Sequence, residues 1–245
     1  MWHKPQLLNA LADLLFAAGA AALVVAAAVW AVRVPSLPIR QVVVSNELRE
    51  VRRGEIELAL TGMLHGNFFS VNLEAIRASL ESLPWVRKVE VRRQWPAQLV
   101  VTIEEHKPVA RWDDGHSAGK NELVNSFGEV FVAWLPEKTA VALPVLYGPH
   151  GTAPEVLQRY ADFVGTLQPV GLKPQQLTLS PRLAWQMKLA DGMVINLGRE
   201  QPKSPVGDRL SRFAGIYPVT LGKSPERPAV VDLRYPNGFA VRNRG

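Results

Sequence analysis

No cysteine occurs among the 245 residues. Disulfide staples, thiol catalysis and zinc–thiolate sites are therefore excluded, while the compartment stays open, because many exported proteins need no disulfide. Histidine is sparse. His3, His65, His106, His116 and His150 are dispersed, and no HExxH spacing sets two of them on one helix face. The chain also lacks a Gly-x-Ser-x-Gly elbow and a Walker A loop, so neither a hydrolase nucleophile turn nor a phosphate cradle is expected. Asp113 and Asp114 with His116 come nearest to an acid–base group, yet Asp113-Asp114-Gly115 is explained by turn chemistry. Glu104, Glu105 and His106 read as a solvated strand end in preference to a metal site. No catalytic residue, cofactor or metal is expected, and the chain does not read as an enzyme.

The charge balance is 28 Lys+Arg against 22 Asp+Glu, a net +6. The basic residues are spread along the chain without an aromatic-rich RNA or DNA motif. A basic surface near anionic lipid fits better than nucleic-acid binding.

What the chain does have is an uncharged apolar run at residues 14–32, LLFAAGAAALVVAAAVWAV, of a length that crosses a bilayer as a helix. A cleaved signal has a shorter core and a small-x-small end, whereas Trp30 stands beside any cut here. A core helix is rarely apolar on all faces. The run reads as a single-pass anchor with Trp30 at the interface, ended by Arg33 and Pro35. Its flanks, Lys4 and His3 on one side and Arg33 and Arg40 on the other, leave orientation undecided. The short tail, residues 1–13, makes an N-in topology the simpler one.

Residues 33–38 form a proline-stiffened linker. Residues 39–44 are β-branched and predict a strand. Residues 52–64 predict a helix with Ile56, Leu60 and Leu64 on one face, ended by Gly66, with Phe68 and Phe69 plugging the core. Asn72 predicts an N-cap for a helix carrying Leu73, Ile76, Leu80 and Leu83 and stopped by Pro84. A strand over 85–95 follows, with Val89, Val91, Arg93 and Trp95 on one side, then a turn and a return strand with Leu99, Val101 and Ile103 inward. The order β-α-α-β-β, over residues 39–107, is a small α+β unit.

Beyond Lys107-Pro108 the pattern becomes mostly antiparallel sheet with two helices, over residues 108–245. Strands are expected near 109–112, 123–124, 130–132, 143–147, 176–180, 184–190 and 193–197, with helices over 154–167 and 206–219. Asp191-Gly192 predicts a tight hairpin turn. Residues 227–235 read as a late strand, followed by a Pro236-Asn237-Gly238 turn and a short returning segment at 239–241. A late strand is often a sheet edge that another chain can complete, and this one is equally well read as an edge guarded by Pro228, Pro236 and charge.

The runs Leu83-Pro84-Trp85-Val86, Val91-Arg92-Arg93-Gln94-Trp95-Pro96 and Lys107-Pro108-Val109-Ala110-Arg111-Trp112 resemble the bacterial cell-division family FtsQ (DivIB in Gram-positive relatives). So do Leu143-Pro144-Val145-Leu146-Tyr147-Gly148-Pro149, Trp185-Gln186, Asn196-Leu197-Gly198-Arg199 and Val231-Asp232-Leu233-Arg234-Tyr235, which follow in the family's order across nearly the whole chain. The resemblance implies a cytoplasmic tail (1–13), an inner-membrane helix (14–32), a POTRA domain (39–107) and a periplasmic β domain (108–245). It implies a divisome scaffold at the septum that binds FtsB and FtsL, links early and late division proteins, and helps control the septal peptidoglycan synthase FtsW–FtsI. The implied FtsB contact, carried over by motif, is Arg234, Tyr235, Gly238, Phe239 and Ala240, with Arg182 as an added charged contact. Family members often have a Trp after this turn. Here Val241-Arg242-Asn243-Arg244-Gly245 follows, so an aromatic contact is missing or Phe239 replaces it. Two other classes compete on these residues. An outer-membrane POTRA assembly factor would need many more alternating strands, and a membrane-tethered envelope enzyme would need a titratable cluster.

Overall fold

The computed structural model describes residues 5–33, 38–64, 67–115, 121–224, 227–235 and 238–243. Gly66, Pro236, Asn237 and most of the expected linker lie outside the described residues. Helix α1 (Pro5–Arg33) begins before the apolar run, with Pro5 in the first turn, where its missing N–H is not needed. Within it Asn9–Trp30, 22 residues of mean hydropathy 2.2, has no protein cover. At 1.5 Å per residue this is about 33 Å, enough for a hydrocarbon core of about 30 Å. An apolar helix bare on every face needs a nonpolar solvent, which argues against a buried core helix.

The rest of the first compact unit, Met1–Glu105, comprises β1 (Gln41–Val44), α2 (Arg53–Leu60), α3 (Leu73–Glu81), β2 (Val86–Gln94) and β3 (Gln98–Glu105). The sheet order is β1-β3-β2, with β1 parallel and β2 antiparallel to the central β3. Helix α3 starts where the Ala75 N–H donates to the Asn72 side chain at 3.0 Å. Its Ile76 and Leu80, with Ile56 and Leu60 of α2, pack on Val89, Leu99, Val101 and Ile103.

Two local expectations are corrected here. Helix α2 stops before residue 64 because Gly62 takes φ 78°, and Leu64 is left exposed. Phe68 is buried but Phe69 is not. Arg93 lies on the same side of β2 as Val89 and Val91, opposite Leu99, as the alternation predicts. Its guanidinium ties down the 68–71 loop, donating to the carbonyls of Phe68 (2.7 Å), Phe69 (3.2 Å) and Val71 (3.0 Å). Trp95 is exposed, and its ring meets that of Phe68 edge-to-face with centroids 6.0 Å apart.

The second unit, His106–Gly245, is built on one mixed sheet. Its elements are β4 (Pro108–Asp113), β5 (Glu122–Asn125), β6 (Val130–Val132), α4 (Glu137–Ala142), β7 (Val145–Tyr147), α5 (Ala153–Leu167), β8 (Pro174–Leu179), β9 (Ala184–Leu189), β10 (Val194–Arg199), α6 (Val206–Ile216), β11 (Val230–Asp232) and β12 (Ala240–Arg242). Among the described residues the order is β12-β11-β10-β9-β8-β7-β4-β5-β6. Five pairings are antiparallel, and three (β4·β7, β7·β8 and β10·β11) are parallel. Helix α5 is the crossover between β7 and β8 and helix α6 that between β10 and β11, while β5, β6 and α4 carry the chain from β4 to β7. Helices α5 and α6 touch each other and bury Phe163, Leu167, Leu210 and Phe213 with Leu177, Met187, Ile195 and Val231. The β9–β10 turn forms at Asp191-Gly192 as its chemistry predicts. Gly192 has φ 88°, and the Asp191 carboxylate accepts the Met193 N–H at 3.0 Å.

Candidate partner-binding edge

The strand order decides which backbone is open. Residues 230–232 are not an edge: β11 is paired on one side with β10 and on the other with β12. The short returning segment, β12, is the outermost strand. An outermost strand has one row of N–H and C=O groups without an intramolecular ladder. This corrects the reading of the 227–235 strand as the open edge, and the physical cause is the returning segment, which pairs antiparallel with β11 on the side away from β10.

The residues singled out from sequence do not all gather at β12. Tyr235, Gly238 and Phe239 line a shallow groove of about 80 Å³ with Leu233 and with Arg209, Arg212, Phe213 and Ile216 of α6. Tyr235 is 55% exposed and Ile216 45%. Phe239 is half-buried, and its ring meets the buried Phe213 edge-on with centroids 5.6 Å apart. It therefore clamps β12 to the helix as well as flooring the groove, and a charge there disturbs the fold as well as any contact. Ala240 is exposed and pairs with Asp232. Arg182 is exposed in the β8–β9 turn, beside Leu183 at φ 58°. The pairings Ala184↔Arg199 and Asn196↔Asp232 put that turn at the sheet end where β10 and β11 finish, the same end as Arg234, with β9 and β10 between them.

Arg234 is held by a residue not foreseen as part of the site. Asp232 accepts its Nε at 2.9 Å and its Nη2 at 2.5 Å, and also accepts the Arg234 backbone N–H at 3.0 Å. Gly198 makes room for this. A Cβ at that position would come within 2.8 Å of the Arg234 side chain. The hydrogen bond from Arg234 holds the Asp232 carboxyl below the usual carboxylate range, against a smaller opposing effect of burial. A depressed folded-state pKa contributes stability above the unfolded value of about 3.9, and that stability is lost as pH falls through the folded value. Unfolding free energy measured from pH 6 down to pH 2 is expected to fall less steeply in Asp232→Asn than in the parent chain. Identical slopes would remove this ion pair from the acid sensitivity.

The α6 wall was also missed. Periodicity over 206–219 shows the helix, but no linear pattern shows that its outer face borders Tyr235. Arg209 is 3% exposed, donates Nη2 to the Arg199 carbonyl at 2.5 Å, and has no partner for Nε among the described residues. Burial lowers its pKa, partly offset by Glu200. Glu200 in turn accepts the Val206 N–H at 2.9 Å at the start of α6, and pairs with Arg159 at 2.9 Å. No group of three or more His, Asp or Glu residues gathers to hold a metal among the described residues. What the site offers is a free strand edge, an aromatic and apolar groove, and an arginine fixed beside it, which is recognition chemistry.

A helix long and apolar enough to span a membrane, a β-α-α-β-β unit and a mixed-sheet unit define the architecture of a single-pass membrane protein. The pattern "POTRA domain, FtsQ-type" matches residues 37–106, and "Cell division protein FtsQ/DivIB, C-terminal" matches residues 110–234. The chain is 38% identical over 245 residues to the cell division protein FtsQ of Burkholderia pseudomallei, covering 100% of this chain and 95% of that one. It is 36% identical over 247 residues to that of Nitrosospira multiformis (99% of each). For that of Neisseria gonorrhoeae the figures are 31% over 243 residues, 99% of this chain and 95% of the relative. The chain belongs to the FtsQ/DivIB family of cell-division proteins, which is not a known enzyme family.

Proposed function

We propose that this protein is a divisome scaffold that binds the FtsB–FtsL pair on the periplasmic side of the inner membrane. The observation that carries the reading is the open outer edge of β12 next to the groove of Tyr235, Phe239 and Phe213. FtsB adds a strand to β12. Main-chain hydrogen bonds supply affinity, and the groove selects a side chain of the added strand. Arg182 presents positive charge at one end of the same sheet and favours an acidic partner segment, while Arg234, already paired with Asp232, offers its remaining N–H donors there. Helix α1 holds both units near the membrane, where membrane-bound partners meet them at high effective concentration. The POTRA domain of the first unit serves localisation and contacts with earlier division proteins. Through the FtsB–FtsL pair the protein acts on FtsW–FtsI and hence on septal peptidoglycan synthesis, with no catalysis of its own.

The cysteine-free chain suits a single-cysteine cross-linking scan in dividing cells along residues 230–241. Strong linking to FtsB at 238–241, with weak linking at the internal positions 230–232, is the expected result. Equal or absent linking along the whole stretch, or capture of a different protein at 238–241, overturns the assignment of this edge.

A further inference from the structure

The sheet has a second outer edge, at its other end. Residues 129–134 read EVFVAW. Phe131 and Ala133 are buried, while Val130, Val132 and Trp134 are 43%, 55% and 70% exposed. The Asn125 N–H donates to Glu129 O at 3.0 Å and the Ala133 N–H to Asn121 O at 3.2 Å, with Phe131 opposite Leu123 between them. Residues 129, 131 and 133 therefore turn their backbone groups toward β5. By alternation, 130, 132 and 134 turn theirs outward. From Val130 to Trp134 there is no charge, no proline and no glycine. Natural sheets guard their edges with charge and proline, as Arg242 does on β12.

We propose that this edge pairs antiparallel with the same edge of a second copy, on a two-fold axis through Val132. That register sets Val132 opposite Val132, Val130 opposite Trp134 and Phe131 opposite Ala133. All three outward-facing residues then form reciprocal hydrogen-bonded pairs, and no charge meets a like charge. Neighbouring registers fail on the sequence. An axis at Val130 runs the strand into the 126–128 hairpin turn, and an axis at Trp134 sets Val132 against Pro136, which has no N–H to give. A charged partner strand finds nothing to pair with on this edge, whereas the edge is symmetric in hydrophobicity about its own centre. The contact is isologous and closes at two copies. Because β6 and β12 lie at opposite ends of the sheet, the pairing leaves the β12 edge open.

Full-length protein in detergent and in native membranes, carrying one introduced cysteine, tests the register. Across a hydrogen-bonded pair the Cα atoms lie about 5.5 Å apart, within disulfide reach. Val132→Cys is expected to form a disulfide dimer on mild oxidation. Val130→Cys and Trp134→Cys, each about 14 Å from its own copy along the strand, are expected to link poorly alone and well when mixed. Val132→Lys is expected to raise the dimer dissociation constant at least tenfold by sedimentation, with unchanged circular dichroism. Equal trapping at all three positions, no trapping, linkage of Val132→Cys to another protein, or a dimer indifferent to Val132→Lys overturns the proposal. Titration with FtsB reads the β12 edge separately and stands or falls independently.

Discussion

Replacing Tyr235 by alanine is expected to weaken FtsB binding by about 2 kcal/mol or more, roughly thirtyfold, without unfolding the protein. Tyr235 is 55% exposed, so little of its burial is spent inside the fold, and its ring is free to be covered by a partner. It lies at the mouth of a groove whose floor, Phe213 and Leu233, is already buried and fixed. An aromatic side chain beside a rigid apolar floor, next to main-chain pairing sites, is the arrangement in which truncation removes the most binding energy. Calorimetric titration of the full chain against the FtsB–FtsL pair measures the effect. An unchanged dissociation constant would sink the interface, while a simultaneous loss of thermal stability would mean that the residue supports the fold instead.

Phe213→Ala is expected to cost about 3–5 kcal/mol of stability in the second unit, about 10–17 °C in the unfolding midpoint. Phe213 is 1% exposed and touches two other rings, Tyr217 at 5.5 Å and Phe239 at 5.6 Å. Removing it leaves a cavity under β12 and takes away the surface against which Phe239 holds that strand. FtsB affinity is therefore expected to fall even though Phe213 is inaccessible to a partner, because the added strand then has to order β12 as it binds. Urea unfolding and hydrogen exchange of residues 239–242 give the two readouts. A stability loss under about 1 kcal/mol would show that the site repacks around the gap.

Much of the architecture could be read from residue patterns, because the signals were local. Asn72 announced the start of α3, Asp191-Gly192 announced a hairpin, and the apolar faces of residues 154–167 and 206–219 announced two helices. Helix α4 was not legible. It is six residues long and buries none of them, so no periodic face exists to detect. The end of α2 was misread because two glycines compete there and the first, Gly62, already adopts the left-handed conformation. Strand pairing was the larger gap. Period-two alternation tells which face of a strand is buried and says nothing about its neighbours. The parallel pairs made by α5 and α6, and hence the outermost place of β12, follow from chain crossovers that no local pattern encodes. The same holds for the site: Tyr235 and Phe239 came from motif order, whereas Asp232, Gly198 and the α6 wall come from the fold.

The central place of β3 bears on how the first unit is made. Among the described residues neither β1 nor β2 has any partner in its sheet except β3, and Gln41 meets Gln98 across most of that unit's sequence. A chain synthesised from its N-terminus thus carries β1, both helices and β2 with no ladder to join until residues 98–105 appear. Helices α2 and α3 can form as local structure in the interval, but the sheet closes in one late event that pairs both outer strands at once. Until then the valines of β1 have no strand beside them, and the nascent unit depends on its helices, or on a chaperone, to keep that strand from foreign edges.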